Sequence, residues 1–83
     1  GMAIELDGRF GHDDPVSRDR DLERDLDAAT AAGRDTLRLG ACQVLDRPCP
    51  TAAKVAAALV AHGWTGRFVP CPRCPDYLRM AVL

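Results

Sequence analysis

The strongest constraint on this chain is a long helix pattern that lies between two short strand patterns. Residues 3–6 alternate apolar and polar side chains, and Gly8 follows soon after, which is typical of a short strand that ends in a turn. Residues 36–39 repeat this pattern, and residues 15–32 between them have helical periodicity. Strand, helix and strand in this order predict two neighbouring parallel strands joined by a right-handed crossover.

The boundaries of the predicted helix are marked on both sides. Asp14 is a good N-cap acceptor and Pro15 suits the first helical position, while Gly33 is placed to end the helix. The apolar stripe predicted to face the core consists of Leu22, Leu26 and Ala29.

The second half of the chain predicts another helix and then an irregular tail. After a loop that contains Pro48 and Pro50, Thr51 is placed to cap a helix that ends at Gly63. The tail, residues 64–83, is rich in proline and is predicted to be irregular except for a short helix or strand near its end. Trp64 is predicted to pack the second helix against the sheet, because the chain has few large side chains.

These elements define one small α/β domain over residues 1–83, with a core over residues 3–63. A chain of 83 residues buries only about 60% of the surface that it exposes when unfolded, so its core is thin. Two strands also leave sheet edges that offer unpaired backbone groups to another chain. We therefore expect an additional segment or a second copy of the chain to pair with an exposed sheet edge.

The charge distribution is uneven although the net charge is only −1. Residues 1–35 hold ten acidic residues and five arginines, whereas residues 36–83 hold two acidic and six basic residues. This predicts one acidic and one basic face. No apolar run is long enough to span a bilayer and no signal peptide is recognisable, so we expect a cytoplasmic protein without a membrane partner.

Acidic residues stand at the end of the first predicted strand. Glu5 and Asp7 are two residues apart, so their side chains point to the same face of the strand, and His12 follows in the turn. Two carboxylates are hard oxygen ligands that suit Mg²⁺, and a histidine can transfer protons at neutral pH. Without further information, the pattern favours a solvated strand face and a loop histidine.

Several of these features, in order and spacing, resemble the very-short-patch-repair-like endonuclease family known as domain of unknown function 559. The residues that carry the resemblance are Ile4-Glu5-Leu6-Asp7-Gly8, His12, Arg24-Asp25, Leu37-Arg38-Leu39 and Val44. Gly63-Trp64-x-Gly66 and the cysteine-containing tail resemble the carboxyl ends of actinobacterial members.

The resemblance implies a restriction-endonuclease-like core of the PD-(D/E)XK superfamily and metal-dependent cleavage of phosphodiesters. It implies a Mg²⁺ site at Glu5 and Asp7, with His12 as general acid or base. Family members carry an upstream helix and a strand with the first acidic ligand, and this chain begins too late to contain them. We therefore expect a truncated or degenerate endonuclease-like domain that is inactive by itself.

Two other functions compete with this hypothesis. A non-catalytic module could bind DNA, or a partner protein, through the basic second half, where Arg38, Lys54 and Arg67 lack acidic neighbours in the sequence. A homodimeric remnant without a ligand is the other alternative. The arginines of the first helix are interleaved with acids and are predicted to form a salt-bridged surface.

The cysteines form a CxxC pattern at Cys71 and Cys74, which Cys42 and Cys49 could extend to four thiolates, with His62 as a further candidate ligand. The spacing of Cys42 and Cys49 is not that of a zinc knuckle, and prolines surround the CxxC pair. The sequence therefore argues against Zn²⁺ at Cys71 and Cys74 and favours free thiols or a disulfide.

Overall fold

The chain forms an α/β structure in a computed structural model that describes residues 2–7 and 14–80. Its elements, in chain order, are β1 (Ala3–Leu6), α1 (Pro15–Ala32), β2 (Thr36–Leu39), a π-helical turn (Cys42–Asp46), α2 (Pro48–Ala61) and α3 (Asp76–Met80). The predicted strand, helix and strand are confirmed.

Helix α1 begins where its capping residues predict. Asp14 has an extended backbone and its carboxylate accepts a hydrogen bond from the backbone N–H of Val16 at 3.0 Å. The Ser17 hydroxyl donates to the other carboxylate oxygen at 2.9 Å. These two bonds, the Ser17 bond above all, lower the pKa of Asp14. Pro15 costs no hydrogen bond at the first helical position.

The end of α1 lies against the end of α2. Gly33 has a left-handed backbone with φ of 61°, which ends the helix as predicted. A Cβ atom at this position would lie 2.8 Å from the carbonyl oxygen of Ala61. Glycine is therefore required both by the conformation and by the close approach of the two backbones.

The two strands form a parallel sheet, with Ala3 opposite Thr36 and Leu6 opposite Leu39. Strand β2 buries Leu37 and Leu39, whereas every residue of β1 is exposed. The Leu6 residue is 73% exposed, an unusual environment for leucine in a sheet. The faces of β1 are thus largely uncovered by the described residues.

The core lies between α1, β2 and α2. The predicted stripe of α1 is buried, and Leu26 is completely inaccessible to solvent. Burial of one such leucine contributes about 1.5–3 kcal/mol. The buried cluster consists of Leu26, Ala29, Leu37, Leu39 and Ala58, with Met2 and Val55 packed against it. Two of its five members are alanines, so the core contains few large apolar side chains, as the composition predicts.

Helix α2 begins at Pro48, and the prediction that Thr51 caps it is wrong. Thr51 instead lies in the first turn, where its backbone N–H donates to the carbonyl of Arg47 at 3.1 Å. Prolines fit the first turn of a helix, where backbone N–H groups have no partner within the helix. Pro48 and Pro50 therefore belong to the helix and not to the loop before it.

The π-helical turn carries a buried glutamine that the sequence did not single out. Gln43 is fully buried, and its side-chain oxygen accepts from the backbone N–H of Gly40 at 3.0 Å. Its amide nitrogen donates to Glu23 of α1 at 3.1 Å. One side chain thus joins the end of β2 to the middle of α1.

The tail is irregular until α3, whose Leu78 is buried. Trp64 is 43% exposed and lies over Gly66, so the prediction that it packs α2 against the sheet is wrong. None of the helices in the described part of the chain has the length and apolar character needed to cross a bilayer.

Candidate functional site

Glu5 lies on β1 and faces β2. Its carboxylate is 3.5 Å from the guanidinium of Arg38, the residue opposite it in the sheet. Both side chains are about half exposed. A pair of this kind contributes at most about 1 kcal/mol, so Glu5 can exchange its partner at little cost.

Asp7 follows directly after β1 and is held much more firmly. Its backbone N–H donates to the carbonyl of Leu39 at 2.7 Å, which extends the parallel pairing by one residue. Its Oδ2 atom accepts from Nε of Arg18 at 2.6 Å and also from Nη2 of the same guanidinium. The Asp7 side chain is 7% exposed.

Arg18 is the functional neighbour that sequence reasoning missed. It lies in the first turns of α1, and its side chain is 26% exposed. The sequence interpretation assigned it to a salt-bridged helix surface, but the structure places it against the end of β1. Asp7 and Arg18 are 11 residues apart, and no local sequence pattern predicts that they pair.

The structure therefore describes two of the three residues predicted for a catalytic site. Glu5 and Asp7 share one strand end, and each is paired with an arginine. His12 lies outside the described residues, and its predicted role as general acid or base stays a prediction.

The basic residues proposed for nucleic-acid binding have different surroundings. Arg38 pairs with Glu5, whereas Nζ of Lys54 lies 2.6 Å from Asp27 and 3.5 Å from Glu23. The hydrogen bond with Asp27 is the main reason why the pKa of Lys54 is raised. Arg67 is exposed in the tail. Arg38 and Lys54, which lack acidic neighbours in the sequence, thus have acidic partners in the folded chain.

The two oppositely charged halves of the chain face each other. Arg47 donates to Asp19 of α1 at 2.7 Å, and this bond is the main reason why the pKa of Arg47 is raised. His62 lies 2.9 Å from Asp35. Arg47 and Lys54 together pair with Asp19, Glu23 and Asp27 of α1. The predicted separation into an acidic and a basic face is therefore wrong for this part of the surface.

Three cysteines form a second candidate site. Cys49 in the first turn of α2 has its Sγ atom 3.8 Å from that of Cys71, and Cys71 Sγ is 3.6 Å from Cys74 Sγ. The three sulfur atoms all lie within 4.8 Å of one another, close enough to bind one metal ion. The four cysteines of the chain are free thiols.

A tight turn holds two of these sulfurs. The Cys74 backbone N–H donates to the Cys71 carbonyl at 3.0 Å, and the Cys71 N–H donates to Cys74 Sγ at 3.3 Å. Arg79 of α3 donates to the carbonyls of Cys71 and Pro72 at 3.0 and 2.9 Å. The turn is therefore fixed by its own backbone and by the helix that follows it.

The thiols of this cluster differ in their proton affinity. The backbone N–H of Arg73, followed by the contacts with Cys74 and Cys49, lowers the pKa of Cys71. Hydrogen bonding to Cys74, then desolvation, raises the pKa of Cys49 to about 12. The thiolate form is therefore favoured more at Cys71 than at Cys49.

The structure brings together some of the ligands that the sequence offered and not others. Cys49 joins the CxxC pair, as the sequence allowed, whereas the group of sulfurs that the described residues form does not include Cys42. His62, the further candidate ligand, pairs with Asp35 instead. The CxxC pair was the local sequence signal for this cluster. Cys49 is 22 residues from Cys71, so no local spacing marks it as the third member.

No family model matches this chain, and no match was found among the curated proteins or the solved structures. The chain is therefore described by what its own residues define, an α/β fold with an acidic strand end and a three-cysteine cluster.

Proposed function

We propose that this chain is part of a metal-dependent endonuclease-like domain of the restriction-endonuclease-like type. The observation that carries the proposal is the position of Glu5 and Asp7 together at the carboxyl end of an edge strand whose faces are uncovered. A further strand can pair beside β1 and bring another acidic ligand to the same end. The sequence resemblance supports the same interpretation.

The side chains of Glu5 and Asp7 are chemically suited to bind a hard divalent cation. Both offer carboxylate oxygens, the ligands that Mg²⁺ prefers, and Asp7 is already bound to a cation, the Arg18 guanidinium. When bound, Mg²⁺ would polarise a phosphoryl oxygen and acidify the attacking water. Glu5 and Asp7 would hold it, while His12 would accept or deliver the proton at its ring nitrogen. Arg18 would have to leave Asp7, and its freed guanidinium suits a phosphate.

Mg²⁺ keeps several waters and is commonly held by one or two carboxylates together with substrate phosphates. The family resemblance implies one further acidic ligand on a neighbouring strand, and we propose that it comes from a segment that pairs beside β1, either in a longer chain or in a second copy. We therefore propose that activity requires association through the β1 edge. Sedimentation measurements on the wild-type chain test this directly, because a strictly monomeric protein at high concentration would exclude a second copy as the source.

The test of the proposed function is cleavage of plasmid DNA in the presence of Mg²⁺ or Mn²⁺. We expect weak nicking by the wild-type chain at high protein concentration, abolished in Glu5→Ala and retained in Asp21→Ala. The control variant removes an exposed carboxylate of α1 that has no role in the proposed site. Equal nicking by all three proteins would indicate a contaminating nuclease.

Retention of DNA without cleavage would instead support the competing hypothesis of a binding module. Such binding should weaken steeply as salt rises, because contacts with phosphates release counterions. It should also weaken in Arg67→Ala, which removes an exposed cation of the tail. If the chain by itself neither cleaves nor retains DNA, both interpretations are refuted for it.

A further inference from the structure

We propose that Cys49, Cys71 and Cys74 form a Zn²⁺ site that fastens the irregular tail to the start of α2. The argument does not depend on the proposed nuclease function, which uses the other end of the chain. It rests on the positions of three sulfur atoms, on the hydrogen bonds around them and on what the tail has to hold it in place.

The sulfur positions fit a tetrahedral metal. Zinc–thiolate bonds are about 2.3 Å long, so two sulfurs on the same tetrahedral ion are about 3.8 Å apart. The observed separations are 3.8 Å for Cys49 and Cys71 and 3.6 Å for Cys71 and Cys74. A disulfide would need about 2.05 Å. Any two packed thiols can reach such a separation, but three within 4.8 Å of one another form a chelate.

A backbone N–H group of the turn donates to one of the proposed ligand sulfurs. The Cys71 N–H donates to Cys74 Sγ at 3.3 Å. Bonds from outer groups to the ligand atoms orient the ligands and stabilise their negative charge. The Arg79 guanidinium, which also pairs with Asp76, donates to the Cys71 carbonyl and so holds the turn that carries both sulfurs.

The ligand set selects a soft ion. Thiolates bind Zn²⁺ far better than Mg²⁺, which separates this site chemically from the carboxylates at the end of β1. The described residues supply three donors, so the fourth position is left to solvent or to a donor outside them.

The location gives the site a structural role. Residues 64–75 form no helix or strand, and Cys49 and Cys71 are 22 residues apart. A metal bound by both would fix the tail against the first turn of α2 and hold Cys74 and Leu78 in their buried positions. In a domain with so thin a core, such a site substitutes for missing apolar packing.

The experiment uses the full chain, reduced, freed of metal and titrated with Co²⁺ without oxygen. We expect the intense near-ultraviolet band of thiolate-bound cobalt, saturation at one ion per chain, and loss of the band when Zn²⁺ is added. The variants Cys49→Ser, Cys71→Ser and Cys74→Ser should each lose the band. Cys42→Ser is the matched control and should keep it, because it removes a thiol from the π-helical turn.

A second measurement on the wild-type chain covers the case in which a variant does not fold. Zn²⁺ should protect three of the four cysteines from alkylation and leave Cys42 as reactive as before, as read by peptide mass spectrometry. No cobalt band at excess metal, or equal protection of all four thiols, would refute the proposal. Loss of the band in Cys42→Ser would also refute it.

Discussion

The contact between Asp7 and Arg18 determines whether the strand-end carboxylate is a structural anchor, a cation ligand, or both. At an effective dielectric constant of about 20, two charges about 4 Å apart attract by about 4 kcal/mol, and desolvation of the nearly buried carboxylate offsets roughly half of this. Charge-assisted hydrogen bonds contribute about 1.5–3 kcal/mol in mutational series. With Asp7 7% and Arg18 26% exposed, we expect a coupling free energy of about 2 kcal/mol.

The measurement is a double-mutant cycle of Asp7→Asn, Arg18→Gln and the double variant, followed by urea unfolding. With an m-value of about 1 kcal/mol/M, a loss of about 2 kcal/mol lowers the unfolding midpoint by about 2 M. A domain of this length has a free energy of unfolding of about 4–12 kcal/mol, so the variants should remain folded at room temperature. A coupling below about 0.5 kcal/mol would mean that the pair does not form in solution.

The same unfolding measurements can be repeated in the presence of Mg²⁺. If Asp7 belongs to a cation site, Arg18→Gln opens it, and Mg²⁺ should then stabilise the variant while hardly affecting the wild type. A site with a dissociation constant of about 1 mM would recover about 1.4 kcal/mol at about 10 mM Mg²⁺. Equal stabilisation of both proteins, or of neither, would contradict a metal site at Asp7.

Three further predictions concern the scaffold. Gln43→Leu leaves the buried N–H of Gly40 without its acceptor and should lower the free energy of unfolding by about 1–3 kcal/mol, as read by urea denaturation. Gly33→Ala forces a left-handed conformation on alanine and a contact with the Ala61 carbonyl, and should cost at least about 1–2 kcal/mol in the same assay. The lowered pKa of Asp14 means that its stabilising contribution is present above its unfolded pKa of 3.8 and is lost as pH falls through the folded pKa. Asp14→Asn keeps a capping side chain but does not titrate, so its stability relative to wild type should rise on acidification.

The elements with local signals were predictable from the sequence. Asp14 and Pro15 start α1, Gly33 ends it, and the alternation in β1 and β2 marks the strands, since each signal lies within a few residues of the element that it specifies. The start of α2 was mispredicted because its local signals are ambiguous. A local interpretation cannot distinguish a proline in a loop from a proline in the first turn of a helix.

The contacts that shape the candidate sites were not predictable, because they join distant residues. Arg18 contacts Asp7 from 11 residues away in the sequence, and Cys49 contacts Cys71 from 22 residues away. Gln43 has no motif around it, and only the geometry of the π-helical turn directs it inward. The sequence likewise shows how many charged residues each half contains, but it does not show which of them form ion pairs.

The pairing of the two halves by charge has a consequence for synthesis of the chain. Residues 1–35 carry five more acidic than basic residues, and the cations that pair with the acids of α1 follow later in the sequence, at Arg47 and Lys54. Until these residues have been synthesised, α1 lacks both those counter-charges and α2, the helix that packs against it. We therefore expect a nascent chain stalled before residue 47 to hold α1 only weakly, and the helix to become stable once α2 has been made.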